Sequence, residues 1–138
     1  MKYMILSYAS QQDYDGMAGR ASDLPAWSPD DFAAMASFMQ AFNAELAESG
    51  ELVETRALAA PVHTRRLGAS NGVPFVTDGP YAETQEVLAG YWIVECDSFD
   101  RATELAARLA SCPAPDQVAA TAVADVRPIA DSAADLEL

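Results

Sequence analysis

Apolar and polar positions along the chain follow the two periods of strands and helices. Residues 2–8 carry aromatic and aliphatic side chains on both alternating faces, the pattern of an interior strand covered on each side. Residues 9–27 change character, with Gly16, Gly19, Pro25 and many small or polar side chains. They predict a long loop, and long loops in small domains often serve as lids or binding elements. Ser28-Pro29-Asp30-Asp31 then predicts a helix start. The Ser28 hydroxyl can accept an orphan backbone N–H, Pro29 needs no donor at the first helical position, and the aspartates favour the positive end of the dipole. Phe32, Met35, Phe38, Met39, Phe42 and Leu46 follow at steps of three and four, giving one apolar stripe that ends near Gly50.

A second strand is predicted from Leu52 to Leu58, and a third begins at Thr64 to Leu67 after Pro61. Ser70-Asn71-Gly72 is a hairpin signal because Asn and Gly accept positive φ, so Pro74 to Thr77 is expected to pair antiparallel with the preceding segment. Asp78-Gly79-Pro80 breaks the pattern. Leu88 to Cys96 predicts an apolar, aromatic strand. Asp97 or Ser98 caps a second helix whose inward face is Phe99, Ala102, Leu105, Ala106 and Leu109. Thr121 to Ile129 gives the last strand of a domain spanning residues 1–129, and the small, acidic tail at 130–138 is expected to fray.

The order β, α, β, hairpin, β, α, β contains two βαβ crossovers that must each be right-handed. They fold most simply into an α+β, ferredoxin-like architecture: a four-stranded antiparallel sheet with both helices on one face, plus a short hairpin. The second face of that sheet, expected to hold Tyr3, Ile5, Tyr91 or Ile93, then needs a cover that a second subunit supplies. A homodimer is therefore expected.

Composition narrows the partners. The 138 residues suffice for one self-supporting core. A formal charge of −13 works against nucleic acid and against anionic membrane surfaces. No apolar run approaches the roughly 20 residues of a membrane span, and the N-terminus lacks the length and cleavage site of a signal peptide, so a cytoplasmic protein is expected. Cys96 and Cys112 show no metal or redox spacing, and neither metal nor other cofactor is expected.

Thr77-Asp78-Gly79-Pro80-Tyr81-Ala82-Glu83-Thr84-Gln85-Glu86, with Leu88-Ala89-Gly90-Tyr91-Trp92-Ile93-Val94-Glu95 behind it, resembles the YCII-related family, and within it the DGPF-type branch. The Met1-Lys2-Tyr3-Met4 opening, the Ser28-Pro29 helix start and the Val126-Arg127-Pro128 ending also match, so the resemblance covers nearly the whole chain. Tyr81 stands where Phe is usual, and Gln85 where Lys is common. The resemblance implies a dimeric α+β barrel. It further implies relatives that act on chlorinated hydroxyquinones through a His-Asp pair, and others encoded beside extracytoplasmic-function sigma factors.

Asp78 has two readings. Asp-Gly-Pro is a turn tripeptide first, so a structural role leads, with the carboxylate closing an Asx-turn. Because Pro80 has no N–H, that carboxylate must find Tyr81, Ala82 or a side chain such as Arg or Tyr, and burial there would make its loss costly. In the catalytic reading Asp78 pairs with His63, the sole imidazole, a side-chain type suited to acid–base work at neutral pH. An exposed, functionless histidine is equally natural at that strand start. Arg56, Arg65, Arg66 and Arg127 are half of the 8 cations and lie on predicted strands or their edges, where guanidinium groups pair with carboxylates or grip an anionic ligand. Tyr81, Glu83, Arg56, Tyr91 and Arg127 are the candidate ligand-binding residues. The leading expectation is a small dimer that binds a small organic molecule near the turn. The alternatives are a lyase or dehydrochlorinase-like enzyme on a hydroxylated aromatic and a regulatory partner of a sigma factor.

Overall fold

Serine caps set three of the helix starts. In the computed structural model, which describes residues 1–20 and 23–137, Ser28 accepts from the Asp31 N–H at 3.1 Å while the Asp31 carboxylate accepts from the Ser28 N–H at 2.8 Å. This reciprocal box opens a long helix, Pro29–Ser49, which Gly50 closes at φ +79°. Ser98 caps Phe99–Ala110 one way only, its hydroxyl accepting from the Arg101 N–H at 3.1 Å.

The second box corrects the sequence reading. Residues 9–27 are not all loop: Ala9 ends the first strand, and Ser10 and Asp13 form a capping box that opens a helix at Gln11–Met17. The segment is too short for an apolar stripe and contains Gly16, so only the cap announced it. The part of that predicted loop at residues 21–22 lies outside the described residues.

In chain order the elements are β1 (Lys2–Ala9), α1 (Gln11–Met17), α2 (Pro29–Ser49), β2 (Leu52–Ala57), a 3-10 turn at Pro61–His63, β3 (Arg65–Ser70), β4 (Val73–Asp78), β5 (Val87–Glu95), α3 (Phe99–Ala110), α4 (Asp116–Ala119) and β6 (Ala124–Pro128). The last strand is shorter than expected because α4 and its following turn occupy the approach to it. The tail, expected to fray, carries a 3-10 turn at Ala133–Glu137 in which the Asp135 carboxylate accepts from Asp131 and Ser132.

The main sheet is antiparallel with order β2-β5-β1-β6, the order that two right-handed crossovers produce, consistent with a ferredoxin-like fold. Registers Tyr3↔Val94 and Ile5↔Trp92 place those four side chains on the helical face, where they meet Phe42 and Leu46 of α2 and Leu105 and Leu109 of α3 in one core. Tyr3 and Ile5 are therefore core residues and not part of the open face, contrary to expectation. The open face carries Met4 opposite Ile93 and Leu6 opposite Tyr91, since side chains on a strand alternate. Phe99 lies at the core's edge, exposed, with its ring edge-on to Tyr3 at 5.4 Å.

β3 and β4 form their own two-stranded sheet, paired from Arg65↔Asp78 to Ser70↔Val73. Asn71 at φ +50° and Gly72 at φ +78° make the turn, the conformation that Asn-Gly favours. Every residue of both strands is exposed.

Candidate functional site

The crossover between β2 and β5 carries the hairpin, and α1 ties its base together. The Gln11 side-chain carbonyl accepts from the Val62 N–H at 2.9 Å, the Tyr14 hydroxyl donates to the Leu58 carbonyl at 2.8 Å, and the Gln12 N–H donates to the Glu83 carbonyl at 3.1 Å. Glu83 contributes this carbonyl, and its side chain is exposed. Gly79 closes the other side. It adopts φ +56°, and its N–H donates to the Thr64 carbonyl at 2.8 Å, which draws the Asp78-Gly79 turn against residues 62–64.

Beside these bonds lies a half-open cavity of about 340 Å³ walled by Leu58, Pro61, Val87 and Leu88, with His63, Thr64 and Tyr81 as its polar groups. His63 ends the 3-10 turn, one step earlier than the strand start expected for it. It also lines an adjoining open concavity with Arg65 and Asp78. The two candidate catalytic residues are thus neighbours. Among the described residues, however, the Asp78 carboxylate is bonded to Arg65, at 3.2 Å, and not to His63. Asp78 found one of the partners expected of it, an arginine, but its side chain is 80% exposed, so the burial that would have made it costly to remove is absent. Arg66 lies over the Tyr81 ring at 5.1 Å, which fixes the ring at the cavity wall.

Arg56, Tyr91 and Arg127 are elsewhere, on the open face of the main sheet. Registers Arg56↔Tyr91 and Met4↔Arg127 put them on one surface with Glu54 and Asp125. The Tyr91 hydroxyl donates to Glu54 at 2.9 Å, and that bond raises its pKa above the usual phenol value. The Tyr8 hydroxyl donates to Asp125 at 2.7 Å with the same consequence. Arg56 pairs with Glu54 at 3.5 Å, while Arg127 forms no ion pair among the described residues. The carboxylate partners, Glu54 and Asp125, were missed in the sequence. The i, i+2 spacing of Glu54 and Arg56 on one strand face was the available signal.

Among the described residues no group of three His, Cys, Asp or Glu is placed to hold a metal, and no helix is long and apolar enough to cross a membrane. Cys96 is buried, Cys112 is half-buried, and both are free thiols whose pKa burial pushes up.

Fold and site together define an α+β protein with a four-stranded antiparallel sheet and a polar-lipped cavity at the base of an appended hairpin. The chain belongs to the YCII-related family, whose domain matches residues 1–130. It is 30% identical over 130 residues to an uncharacterised protein of Rhizobium meliloti (strain 1021), R00369, a match covering 94% of this chain and 93% of that protein.

Proposed function

We propose that the chain is a cytoplasmic protein of the DGPF-type branch that binds a small organic ligand in the cleft at the hairpin base and works as a homodimer. One observation carries the ligand reading: the cavity of about 340 Å³ lies within the size range of small-molecule sites and places an imidazole, a phenol and a hydroxyl, from His63, Tyr81 and Thr64, against apolar walls. A small ring bearing hydroxyl or carbonyl oxygens suits that lining. Titration calorimetry with a panel of hydroxyquinones and catechols tests it. A ligand should bind the parent protein, and His63→Ala and Tyr81→Phe should each weaken it about tenfold. Affinity unchanged in both variants would sink the reading.

A second reading is favoured by the concavity that His63 and Asp78 share: a lyase or dehydrochlorinase-like enzyme on a hydroxylated aromatic, with these two residues as the acid–base pair. It requires Asp78 to exchange Arg65 for His63 when substrate arrives. Turnover of a chlorinated hydroxyquinone that disappears in His63→Ala and rises in Arg65→Ala would replace the binding reading with this one. The third reading, a partner of a sigma factor, rests on the motif resemblance and the acidic charge alone.

A further inference from the structure

A different space lies on the helical face of the sheet. α2 is anchored in its second half by buried Phe42 and Leu46. One and two turns earlier on the same stripe, Met39 and Met35 are only half-buried and wall a cavity of about 380 Å³ together with Met17 of α1 and Trp92 of β5. A second cavity of about 230 Å³ shares Ser7, Met17, Met35, Met39 and Trp92 with the first and runs on toward Leu109 and Cys112. Three of the chain's 5 methionines thus partition one cleft.

We propose that this methionine-walled cleft is a binding site for an uncharged, flat aromatic molecule of about two fused rings that bears a hydrogen-bond acceptor. It is separate from the hairpin-base cavity, with which it shares only Leu58. Size sets the ring count, because a cavity of about 150 Å³ already takes a benzene. The wall sets the aromatic character: thioether sulfurs make favourable contacts with rings, and unbranched methionines adapt to the outline of what they cover. Charge sets neutrality. Arg56 is the one Lys, Arg, Asp or Glu among the residues lining the larger cavity, and its side chain belongs to the open face of the sheet, where Glu54 pairs with it, so an ionised guest finds no counter-ion.

Asn43 supplies the directional contact. Its Oδ1 accepts from the Trp92 indole N–H at 2.8 Å, which settles which way the amide faces, because the indole can only donate. Its Nδ2 then carries two N–H donors with no partner among the described residues. The hydroxyls nearby are engaged as donors already, Ser7 to the Gly90 carbonyl at 3.2 Å and Thr55 to the Tyr91 carbonyl at 3.0 Å. A carbonyl oxygen on the guest is the group Asn43 can hold.

The test uses the full chain and 6-propionyl-2-dimethylaminonaphthalene, a neutral fused-ring ketone whose emission moves to the blue in an apolar site. It should bind saturably, one per chain, with blue-shifted emission and quenching of tryptophan fluorescence. Met35→Trp, which fills the cleft from a half-exposed position, should weaken binding at least tenfold with an unchanged thermal midpoint. Asn43→Asp keeps an acceptor for the Trp92 N–H and removes both free donors, and should weaken it about tenfold. The anion 1-naphthoate should bind at least tenfold less tightly than the ketone. His63→Ala, which addresses the hairpin-base cavity, should leave ketone binding unchanged. Ketone affinity within twofold of the parent in a folded Met35→Trp protein, or naphthoate bound as tightly as the ketone, overturns the proposal.

Discussion

Asp78 and Gly79 are adjacent, and the chemistry around each decides which one the turn depends on. The Asp78–Arg65 pair, at 3.2 Å, has side chains 80% and 70% exposed, so water and salt screen it. Asp78→Ala should change stability by less than about 0.5 kcal/mol. Gly79 sits at φ +56°, where any side chain is strained, and Gly79→Ala should cost about 1 kcal/mol or more. Urea midpoints of the two variants check the ranking, and the reverse order would refute it. That Asp-Gly-Pro is a turn was legible in the sequence. That Asp78 lies in solvent was not, because exposure depends on what packs beyond the hairpin. Glu51 carries a pH signal. Arg101 grips its carboxylate through two bonds, at 2.9 and 3.0 Å, and holds its pKa below the ordinary carboxylate value. A pKa depressed by folding stabilises the protein at pH values above the unfolded one, about 4.3, and that stability is lost as pH falls through the lower, folded value. Glu51→Gln should thus cost about 1 kcal/mol near neutrality, below the ordinary range for charged hydrogen bonds because Arg101 is 39% exposed, and the difference from the parent should vanish in acid. Thermal midpoints between pH 7 and 3 measure it.

Of the elements, α1 is the one whose absence from the sequence reading matters most. Long stripes and an Asn-Gly turn made α2, α3 and the hairpin legible, because each repeats its signal over many residues or demands a particular residue type. A helix of seven residues has no room for a stripe, and its only marks were Ser10 and, three residues on, Asp13. The same reasoning explains why the cavity at the hairpin base was only partly foreseen: His63, Asp78 and Tyr81 could be read as candidates, but the bonds from Gln11 and Tyr14 that close the base come from an unread helix. Ser10→Ala removes the cap and should cost about 1 kcal/mol. Its local effect is more specific. Hydrogen exchange at the Val62 and Glu83-facing Gln12 amides should quicken while amides inside α3 keep their protection, and uniform quickening throughout would mean that α1 is no separate tie.

For the whole molecule, the four-stranded antiparallel sheet was legible because crossover handedness leaves few alternatives; on the open face Tyr91 and Ile93 of β5 stand as expected, while a one-residue phase choice on β1 put Tyr3 and Ile5 there in place of Met4 and Leu6. The corrected face still has half-buried Met4, Leu6 and Ile93 at its centre, ringed by the Tyr91–Glu54 and Tyr8–Asp125 bonds. A second copy laid there would bury that centre, and the homodimer proposal predicts twice 14.7 kDa by light scattering at micromolar concentration. Leu6→Lys and Ile93→Lys should shift the mass toward the monomer, because each places a charge in the covered centre. A parent protein that scatters as a monomer throughout that range would end the dimer proposal.

The hairpin has a consequence for handling the protein in solution. β3 and β4 pair only with each other, and among the described residues no backbone bond joins either outer edge to a further strand. Each edge is therefore a template for another chain, and Leu67, 70% exposed, adds an apolar side chain to it. At neutral pH the net charge of −13 keeps such edges apart. Near the isoelectric point of about 4.1 that repulsion is gone, so colloidal stability should collapse there by edge-to-edge association, and a lysine at position 67 should restore it.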